Sequence, residues 1–293
     1  MDITLNEILN NREVLDKFNS LTKYPSILTY HALGERGGMT ESLCNDEAFP
    51  ADTMLEATEK VDGTNTRILI IGDDYVIGSR TELIYAKGDR IINNVQINPT
   101  IKELANFLNR KDLTKIVGYN SNAPVMLAVY GEIYGYNIQE GSKVYIADSK
   151  ECKEVKFRIF DIYALPLVDL KACLDKEQNF ISHWREDGGQ PWYTTTQIQE
   201  FCEAYNIDRT PVVKAFNSNE MPTEVNETYA FLKTFADSRV MLTESNESAN
   251  QKFGRSEGIV VRTPDRSFIR KLRFEDYRKG EMNNWQVKFQ KKK

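Results

Sequence analysis

The chain has 293 residues and a formal net charge of −5, from 38 Lys or Arg against 43 Asp or Glu. Hydrophobic residues make up 41% and charged residues 28%, a balance that excludes disordered, collagenous and coiled-coil proteins. The length predicts about two domains or one large α/β domain, with enough chain to bury a sizeable core. The acidic average argues only weakly against a polyanionic partner, because nucleic acids are bound by local patches.

Positive charge is concentrated towards the C-terminal end of the sequence. Residues 262–293 carry 11 Lys or Arg and four Asp or Glu. The weak argument against a polyanionic partner therefore fails locally in this stretch.

Histidine, cysteine and glycine spacing excludes several kinds of site. The two histidines, His31 and His183, are 152 positions apart, so there is no HExxH zinc helix. No two of the four cysteines have CxxC spacing, which excludes a zinc ribbon, and neither a Rossmann nor a P-loop glycine motif occurs. No signal peptide or membrane-spanning apolar run is evident. We expect no membrane partner and a cytoplasmic location, in the host cell if the protein is encoded by a virus or phage.

The beginning of the chain is predicted to be a helix followed by an irregular extension. Residues 2–20 carry an apolar stripe close to the 3.6-residue period. Residues 23–52 contain helix and strand breakers, among them Pro25 and Pro50. We therefore predict an N-terminal extension over residues 1–53.

From Met54 onwards, β-type runs are mixed with helical stripes. Strands are predicted at residues 54–58, 66–71, 75–79, 125–130, 155–163, 258–262 and 268–273. Helices are predicted at residues 100–108, 194–205 and 224–235. Hairpins outnumber βαβ units in this order, which predicts an α+β fold. The second predicted domain spans residues 54–293, with a helical insertion around 163–256.

Five segments place charged or aromatic residues at strand ends. In chain order they are Glu59-Lys60-Val61-Asp62-Gly63-Thr64-Asn65, Gly78-Ser79-Arg80-Thr81, Tyr130-Gly131-Glu132-Ile133-Tyr134-Gly135, Phe157-Arg158-Ile159-Phe160-Asp161, and Glu257-Gly258-Ile259-Val260-Val261-Arg262 with Ile269-Arg270-Lys271-Leu272-Arg273. A lysine becomes a nucleophile only when neighbouring cations or desolvation leave free amine near neutral pH. Each segment alone is compatible with a solvated strand end. Only the occurrence of all five in this order indicates a particular kind of site.

In this order the set resembles the covalent nucleotidyltransferase superfamily, which contains ATP-dependent RNA and DNA ligases and mRNA capping enzymes. It is most similar to RNA ligases of the RNA ligase 2 type, because Asn65 stands where DNA ligases usually carry Arg. Asp62 stands where several of these RNA ligases have His, and Arg273 where Lys is commoner. The resemblance covers residues 59 to about 274. It implies an ATP-grasp-like nucleotidyltransferase core of two antiparallel sheets flanked by helices, with no C-terminal OB-fold in the 20 residues after Arg273.

The resemblance also implies a role for each motif residue. Lys60 would attack the α-phosphate of ATP to form lysyl-AMP, and Lys271 and Arg273 would hold that phosphate. The AMP would pass to the 5′-phosphate of an RNA, where a 3′-hydroxyl would displace it. The expected ATP-binding residues are Glu59, Lys60, Asn65, Arg80, Glu132, Phe157, Glu257 and Lys271. The expected ligands of Mg²⁺ or Mn²⁺ are Glu132, Glu257 and Asp62, since hard divalent cations prefer oxygen ligands.

Other interpretations remain open. For single residues they are core packing of Phe157, a surface salt bridge at Arg80 and a turn role for Asn65. For the whole chain they are a minimal DNA ligase, a GTP-type capping enzyme, or a catalytically silent RNA-binding protein on the same fold. The nucleotide that becomes covalently attached, if any, distinguishes these alternatives. The expected partner is RNA with 3′-hydroxyl and 5′-phosphate ends, and the sequence identifies no protein partner.

Overall fold

The computed structural model describes residues 3–35, 37–92, 99–118, 123–138, 154–240 and 256–278. Its helices are α1 (Leu5–Asn10), α2 (Arg12–Leu21), α3 (Pro99–Asn109), α4 (Leu113–Val117), α5 (Leu167–Leu174), α6 (Gln178–Glu186), α7 (Thr195–Tyr205) and α8 (Val225–Lys233). Its strands are β1 (His31–Leu33), β2 (Met39–Leu43), β3 (Met54–Lys60), β4 (Thr64–Ile71), β5 (Asp74–Ser79), β6 (Leu83–Ala86), β7 (Arg90–Ile91), β8 (Val125–Gly135), β9 (Val155–Pro166), β10 (Val212–Asn217), β11 (Gly258–Arg262) and β12 (Ile269–Arg273). Residues 274–278 are also helical.

The first of two compact units is built on a six-stranded sheet. It comprises Met1–Ser26, Thr64–Ile133 and Val155–Arg209. The strand order is β7-β6-β5-β4-β8-β9, and β4 pairs antiparallel with both β5 and β8. This sheet therefore brings together four of the motif residues, those on β4, β8 and β9 and at the end of β5.

Both faces of this sheet are covered by helices. Because side chains alternate along a strand, β4 contributes to two different cores. Leu69 and Ile71 pack in one core with residues of α1, α2, α5 and α6. Ile68 and Ile70 face the other way and line an apolar cavity of about 40 Å³ with residues of α3, α4 and α7. Burial on both sides explains the almost continuous apolar run at the end of this strand.

Two arginines fix the end of α2 within the first unit. Arg67 on β4 is fully buried and donates to the carbonyl of Asn19 at 2.8 Å and the hydroxyl of Thr22 at 3.0 Å. Arg185 on α6 donates to the carbonyl of Ser20 at 2.8 Å. Cations at a helix C-terminus satisfy the last carbonyls and interact favourably with the helix dipole. Burial lowers the pKa of Arg67 to about 10, so the guanidinium remains charged at neutral pH.

The predicted single helix over residues 2–20 is wrong in one respect, because it is broken at Asn11. The Asn11 side chain accepts a hydrogen bond from the backbone N–H of Val14, as an N-cap of α2. Its own backbone N–H donates to the carbonyl of Ile8, which closes α1. Asparagine competes for backbone hydrogen bonds in this way and so favours helix ends over helix interiors.

The second unit contains a four-stranded antiparallel sheet in the order β10-β3-β11-β12. It comprises Ile27–Gly63, Tyr134–Glu154 and Thr210–Lys293. Its core lies on one face of the sheet, where Leu55 and Leu272 pack with residues of α8 and of the helical turn after β12. The opposite face of the same strands carries the predicted nucleophile and phosphate-binding cations.

Both edge strands of this sheet have hydrogen-bond partners within the unit, and unpaired edges are prone to pair with other chains. At β12, the Lys271 backbone donates to the carbonyl of Leu28 at 2.9 Å and accepts from the N–H of Tyr30 at 3.1 Å. At β10, the Arg239 guanidinium donates to the carbonyl of Val212 at 2.9 Å. The segment before β3, predicted only as irregular, thus completes the sheet.

The α+β prediction with antiparallel sheets flanked by helices is confirmed. All seven predicted strands and the three helices predicted after residue 99 are present within a few residues of their expected ends. The predicted insertion around 163–256 contains α5 to α8, and it also supplies β10 to the sheet of the second unit. None of the helices within the described residues is long and apolar enough to cross a membrane.

The second unit contains a buried histidine, His31, which binds a proton less readily in the folded than in the unfolded chain. His31 Nδ1 lies 2.8 Å from the Tyr277 hydroxyl, and Nε2 lies 2.9 Å from the carbonyl of Thr223. Burial lowers the pKa of His31 below its ordinary value of 6.5. Below that pH the unfolded chain binds more protons than the folded chain. The free energy of unfolding should therefore fall as pH decreases from about 6.5 towards 5.

We expect His31→Gln to flatten this pH dependence, measured by urea denaturation between pH 7 and pH 5. His183→Gln is the matched control, because His183 lies on α6, where its Nδ1 contacts the carbonyl of Asn179 in the same helix at 2.8 Å. The control should keep the wild-type slope. An unchanged slope in His31→Gln would show that other groups cause the pH dependence.

Candidate active site

The site in the second unit is organised around an ion pair between Lys60 and Glu257. Lys60 is the last residue of β3, and its Nζ donates to Oε2 of Glu257. Glu257 immediately precedes β11, and the backbone register pairs Gly258 with Lys60. The two side chains are 29% and 24% exposed, so the pair is partly shielded but open to a ligand.

The strand register places the predicted cations close to Lys60. Lys60, Gly258 and Arg273 form one cross-strand row, and the backbones of the outer two are about 10 Å apart at ordinary strand spacing. Thr58 and Lys271 flank Val260 in a neighbouring row of the same face. The second unit therefore brings together three of the predicted catalytic residues on one face of one sheet.

Gly258 lies between Lys60 and Arg273 in this row, and its lack of a side chain allows β12 to approach closely. A Cβ atom at this position would lie 2.0 Å from the carbonyl oxygen of Leu272 and 2.9 Å from the Cα of Arg273. Strand β12 therefore packs directly on the glycine backbone, and only glycine fits.

Arg273 is held by a carboxylate that lies outside the predicted motif residues. Its Nε and Nη2 donate to the two oxygens of Asp276, at 2.8 and 2.7 Å. Asp276 is buried, and its hydrogen bond raises the pKa of Arg273. This bidentate pairing fixes the plane of the guanidinium and compensates part of its charge. An acidic residue three positions after Arg273, at the start of a helix, was the available signal in the sequence.

Two carboxylates of the second unit interact near Lys60. Burial raises the pKa of Asp62, the negative charge of Glu257 raises it further, and Lys60 acts in the opposite direction. Mg²⁺ usually keeps several waters and takes one or two protein carboxylates, which Asp62 and Glu257 can supply. No group of three or more acidic, histidine or cysteine side chains suited to a metal occurs within the described residues. Two carboxylates fit a hydrated divalent cation, in which water supplies the other ligands.

Glu59, predicted to lie beside the purine through its backbone, has a side chain that is directed into the protein. The carboxylate is 2% exposed and accepts from the Ser238 hydroxyl at 2.6 Å and the Arg239 backbone N–H at 2.7 Å. The backbone N–H of Glu59 donates to the carbonyl of Pro211 at 2.9 Å. The side chain itself is thus a structural group of the second unit.

Three further predicted residues lie near one end of the sheet in the first unit. Asn65 on β4 and Glu132 on β8 are register partners. Arg80 is exposed and follows Ser79, the register partner of Thr66, so it lies at the same end. The Asn65 side-chain oxygen is buried and has no hydrogen-bond partner among the residues that the structure describes. An unsatisfied buried acceptor is costly, so this oxygen is a good candidate to contact a ligand.

Phe157 contacts the core of the first unit. Its side chain lines the apolar cavity with Leu104, Val129 and Phe201. Its ring also lies against Gly131, where a Cβ atom would approach Phe157 to 2.3 Å. These contacts are those of a packed aromatic side chain, and stacking of this ring on adenine stays a prediction.

The fold is that of an α+β protein with a lysine–carboxylate pair at the end of a central strand, and sequence comparison identifies its family. The RNA ligase family model matches residues 54–278, so the chain belongs to the RNA ligase family. No curated protein matches the chain.

A solved structure of an RNA ligase from Naegleria gruberi shares the fold. A mutant of that ligase with ATP and Mn is 16% identical at a TM-score of 0.50, covering 89% of this chain and 62% of that one. The same ligase with PPi is 18% identical at a TM-score of 0.47, covering 88% of this chain and 64% of that one. The chain therefore spans less than two thirds of the length of these structures.

Proposed function

We propose that this chain is an ATP-dependent RNA ligase in which Lys60 is the nucleophile. The observation that carries the proposal is the Lys60–Glu257 ion pair, in which Lys60 shares a cross-strand row with Arg273 and lies one row from Lys271. Phosphoryl transfer depends mainly on positioning and on neutralising the charge of the phosphate oxygens. A lysine beside a carboxylate and two cations meets both requirements. Membership of the RNA ligase family supports RNA as the substrate.

In the first proposed step, Lys60 Nζ forms a bond to the α-phosphorus of ATP. The bond to the bridging oxygen breaks, and pyrophosphate leaves with the electron pair. Attack requires the unprotonated amine, and the Glu257 carboxylate contacts Nζ, so it can accept the proton. Lys271 and Arg273 would stabilise the negative charge on the phosphate oxygens. The product is a lysyl-AMP phosphoramidate.

Two further transfers would join the RNA ends. A 5′-phosphate oxygen of the RNA attacks the phosphorus of lysyl-AMP, and the phosphorus–nitrogen bond breaks to return Lys60 to its amine form. A 3′-hydroxyl then attacks the adenylylated 5′-phosphate, loses its proton and displaces AMP. The new phosphodiester bond joins the two ends. Each displacement occurs at phosphorus, so the same neutralisation of oxygen charge favours all three steps.

The other predicted residues complete the proposed ATP and metal sites. In the second unit, Asp62 and Glu257 are proposed ligands of Mg²⁺ or Mn²⁺, which would neutralise phosphate charge when bound. In the first unit, Glu132 keeps the metal-binding role that the resemblance implies. The unpartnered oxygen of Asn65 supports its proposed contact with the nucleotide. The remaining proposed ATP contacts are Arg80 with phosphate, Phe157 with adenine, and the Glu59 backbone beside the purine.

Incubation with ATP, GTP or NAD, each labelled in the phosphate that would be transferred, tests this function directly. We expect a covalent label from ATP in the presence of Mg²⁺ or Mn²⁺, and peptide mapping should locate AMP on Lys60. Nicked duplex RNA, single-stranded RNA and nicked DNA are then compared as substrates for sealing.

The outcomes separate the alternatives. A label from GTP alone would favour a capping-type enzyme, and sealing of nicked DNA alone would favour a DNA ligase. Absence of label from all three nucleotides at every metal concentration would contradict the proposal and favour a silent RNA-binding protein.

A further inference from the structure

A short segment outside all of the motifs contacts both neighbours of the nucleophile. Residues 236–240, here called the brace segment, follow α8 in the second unit. They contact Glu59 and Val61, the residues on either side of Lys60. No charge pattern or glycine motif marks this segment in the sequence.

The brace segment satisfies the buried carboxylate of Glu59. The Ser238 hydroxyl donates to one oxygen at 2.6 Å, and the Arg239 backbone N–H donates to the other at 2.7 Å. A buried carboxylate is costly unless it is hydrogen-bonded, so these two donors fix the position of Glu59. Glu59 is the last residue before Lys60, and its orientation therefore determines where β3 ends.

The brace segment also packs against the residue after the nucleophile. Val240 forms a small buried cluster with Val61 and Tyr134, and these three are at most 4% exposed. Side chains alternate along an extended chain, so Glu59 and Val61 face the brace segment while Lys60 points the other way. The side chains before and after Lys60 are thus both held by the brace segment, which restricts the movement of the backbone at Lys60.

The same segment is connected to the strand that follows the ion-pair partner. The Ser256 backbone N–H donates to the carbonyl of Ala236 at 2.9 Å, and Ser256 directly precedes Glu257. The Arg239 guanidinium donates to the carbonyls of Val212 and Val213 on β10, at 2.9 and 3.3 Å. The brace segment is therefore hydrogen-bonded next to both members of the Lys60–Glu257 pair and to the strand beside β3.

We propose that Ser238 and the Arg239 backbone N–H are positioning groups, which hold Lys60 against Glu257 by fixing Glu59. The proposal deepens the ligase function proposed above, and its effect on adenylylation rests on that function. A nucleophile displaced by about 1 Å reacts much more slowly, with losses that reach about 100-fold. The Ser238 side chain itself makes none of the proposed ATP contacts. A change in nucleotide affinity would arise only through the Glu59 backbone, so it should be smaller than the change in rate.

The kinetic test compares Ser238→Ala with Ser238→Thr and Ser267→Ala. We expect Ser238→Ala to lower the rate of Lys60 adenylylation at saturating ATP by about 10- to 100-fold, a larger factor than any change in the KM for ATP. Ser238→Thr keeps the hydroxyl and should restore most of the rate. Ser267→Ala is the matched control, because Ser267 also donates to a carboxylate of the second unit, Asp265, at 2.8 Å. The control should behave as wild type.

A second measurement needs no nucleotide and so remains informative if the ligase proposal fails. The reaction of Lys60 with an amine-modifying reagent is followed by mass spectrometry, with Lys214 as internal reference because it is also ion-paired, to Glu220 at 2.9 Å. We expect Ser238→Ala to increase the reactivity of Lys60 relative to Lys214, towards the value in Glu257→Gln.

Unchanged Lys60 reactivity in Ser238→Ala would overturn the positioning role whether or not the wild-type protein is labelled by ATP. An adenylylation defect of equal size in Ser238→Thr would also overturn it. Failure of wild-type labelling together with increased Lys60 reactivity in Ser238→Ala would contradict the ligase function alone.

Discussion

Replacing Lys60 with alanine is expected to abolish covalent labelling by ATP and leave the fold intact. The change removes the proposed nucleophile, and no other amine occupies its position at the end of β3. The side chain is partly exposed and lies outside the hydrophobic core, so the melting temperature should stay close to wild type. Lys60→Arg should also be inactive, because a guanidinium stays protonated and cannot attack phosphorus. Labelling gels and thermal denaturation measure the two effects separately.

A matched control and a preadenylylated substrate sharpen this prediction. Lys214→Ala removes another ion-paired lysine of the second unit and should leave labelling unchanged. Lys60→Ala should still seal RNA that already carries AMP on its 5′-phosphate, because the final displacement does not use the lysine as nucleophile. Persistent labelling in Lys60→Ala would assign the nucleophile to another residue.

Regular strands could be predicted from the sequence because their signal is local. Residues 66–71 and 258–262 carry continuous β-type runs, and each forms a strand in the expected place. The pairing of distant segments has no comparable signal. Leu28 and Tyr30 lie in a stretch rich in proline and glycine. Their backbone groups nevertheless hydrogen-bond to Lys271, and so satisfy the N–H and C=O groups at the open edge of β12.

For the candidate site too, the sequence identified the motif residues but not the residues that support them. The resemblance of the ordered motifs to RNA ligases led to Lys60, Glu257 and Lys271, and all three belong to one site of the second unit. The supporting residues could not be found in this way. Ser238 becomes important only because the fold places it against a buried carboxylate 179 positions earlier in the chain. Such contacts depend on tertiary packing and leave no periodic pattern in the sequence.

Gly258→Ala is expected to damage both the stability and the activity of the second unit. The added methyl group would approach the backbone of β12 to 2.0 Å, and a backbone atom cannot rotate away as a flexible side chain can. Relief of the clash would push β11 and β12 apart, at a cost of about 1–3 kcal/mol or more. We expect the melting temperature to fall by about 5 °C or more.

The same displacement should impair adenylylation, because Gly258 lies between Lys60 and Arg273 in the cross-strand row. Moving β12 shifts Lys271 and Arg273 relative to the nucleophile, so the labelling rate should fall even at temperatures where the variant is fully folded. Gly34→Ala is the matched control in the same unit, since its Cβ would make only ordinary contacts of 3.4 and 3.6 Å. If Gly258→Ala has wild-type stability and labelling, β12 can move away from the added methyl group without loss of stability. The close approach of the two strands would then have no part in aligning the phosphate-binding cations with Lys60.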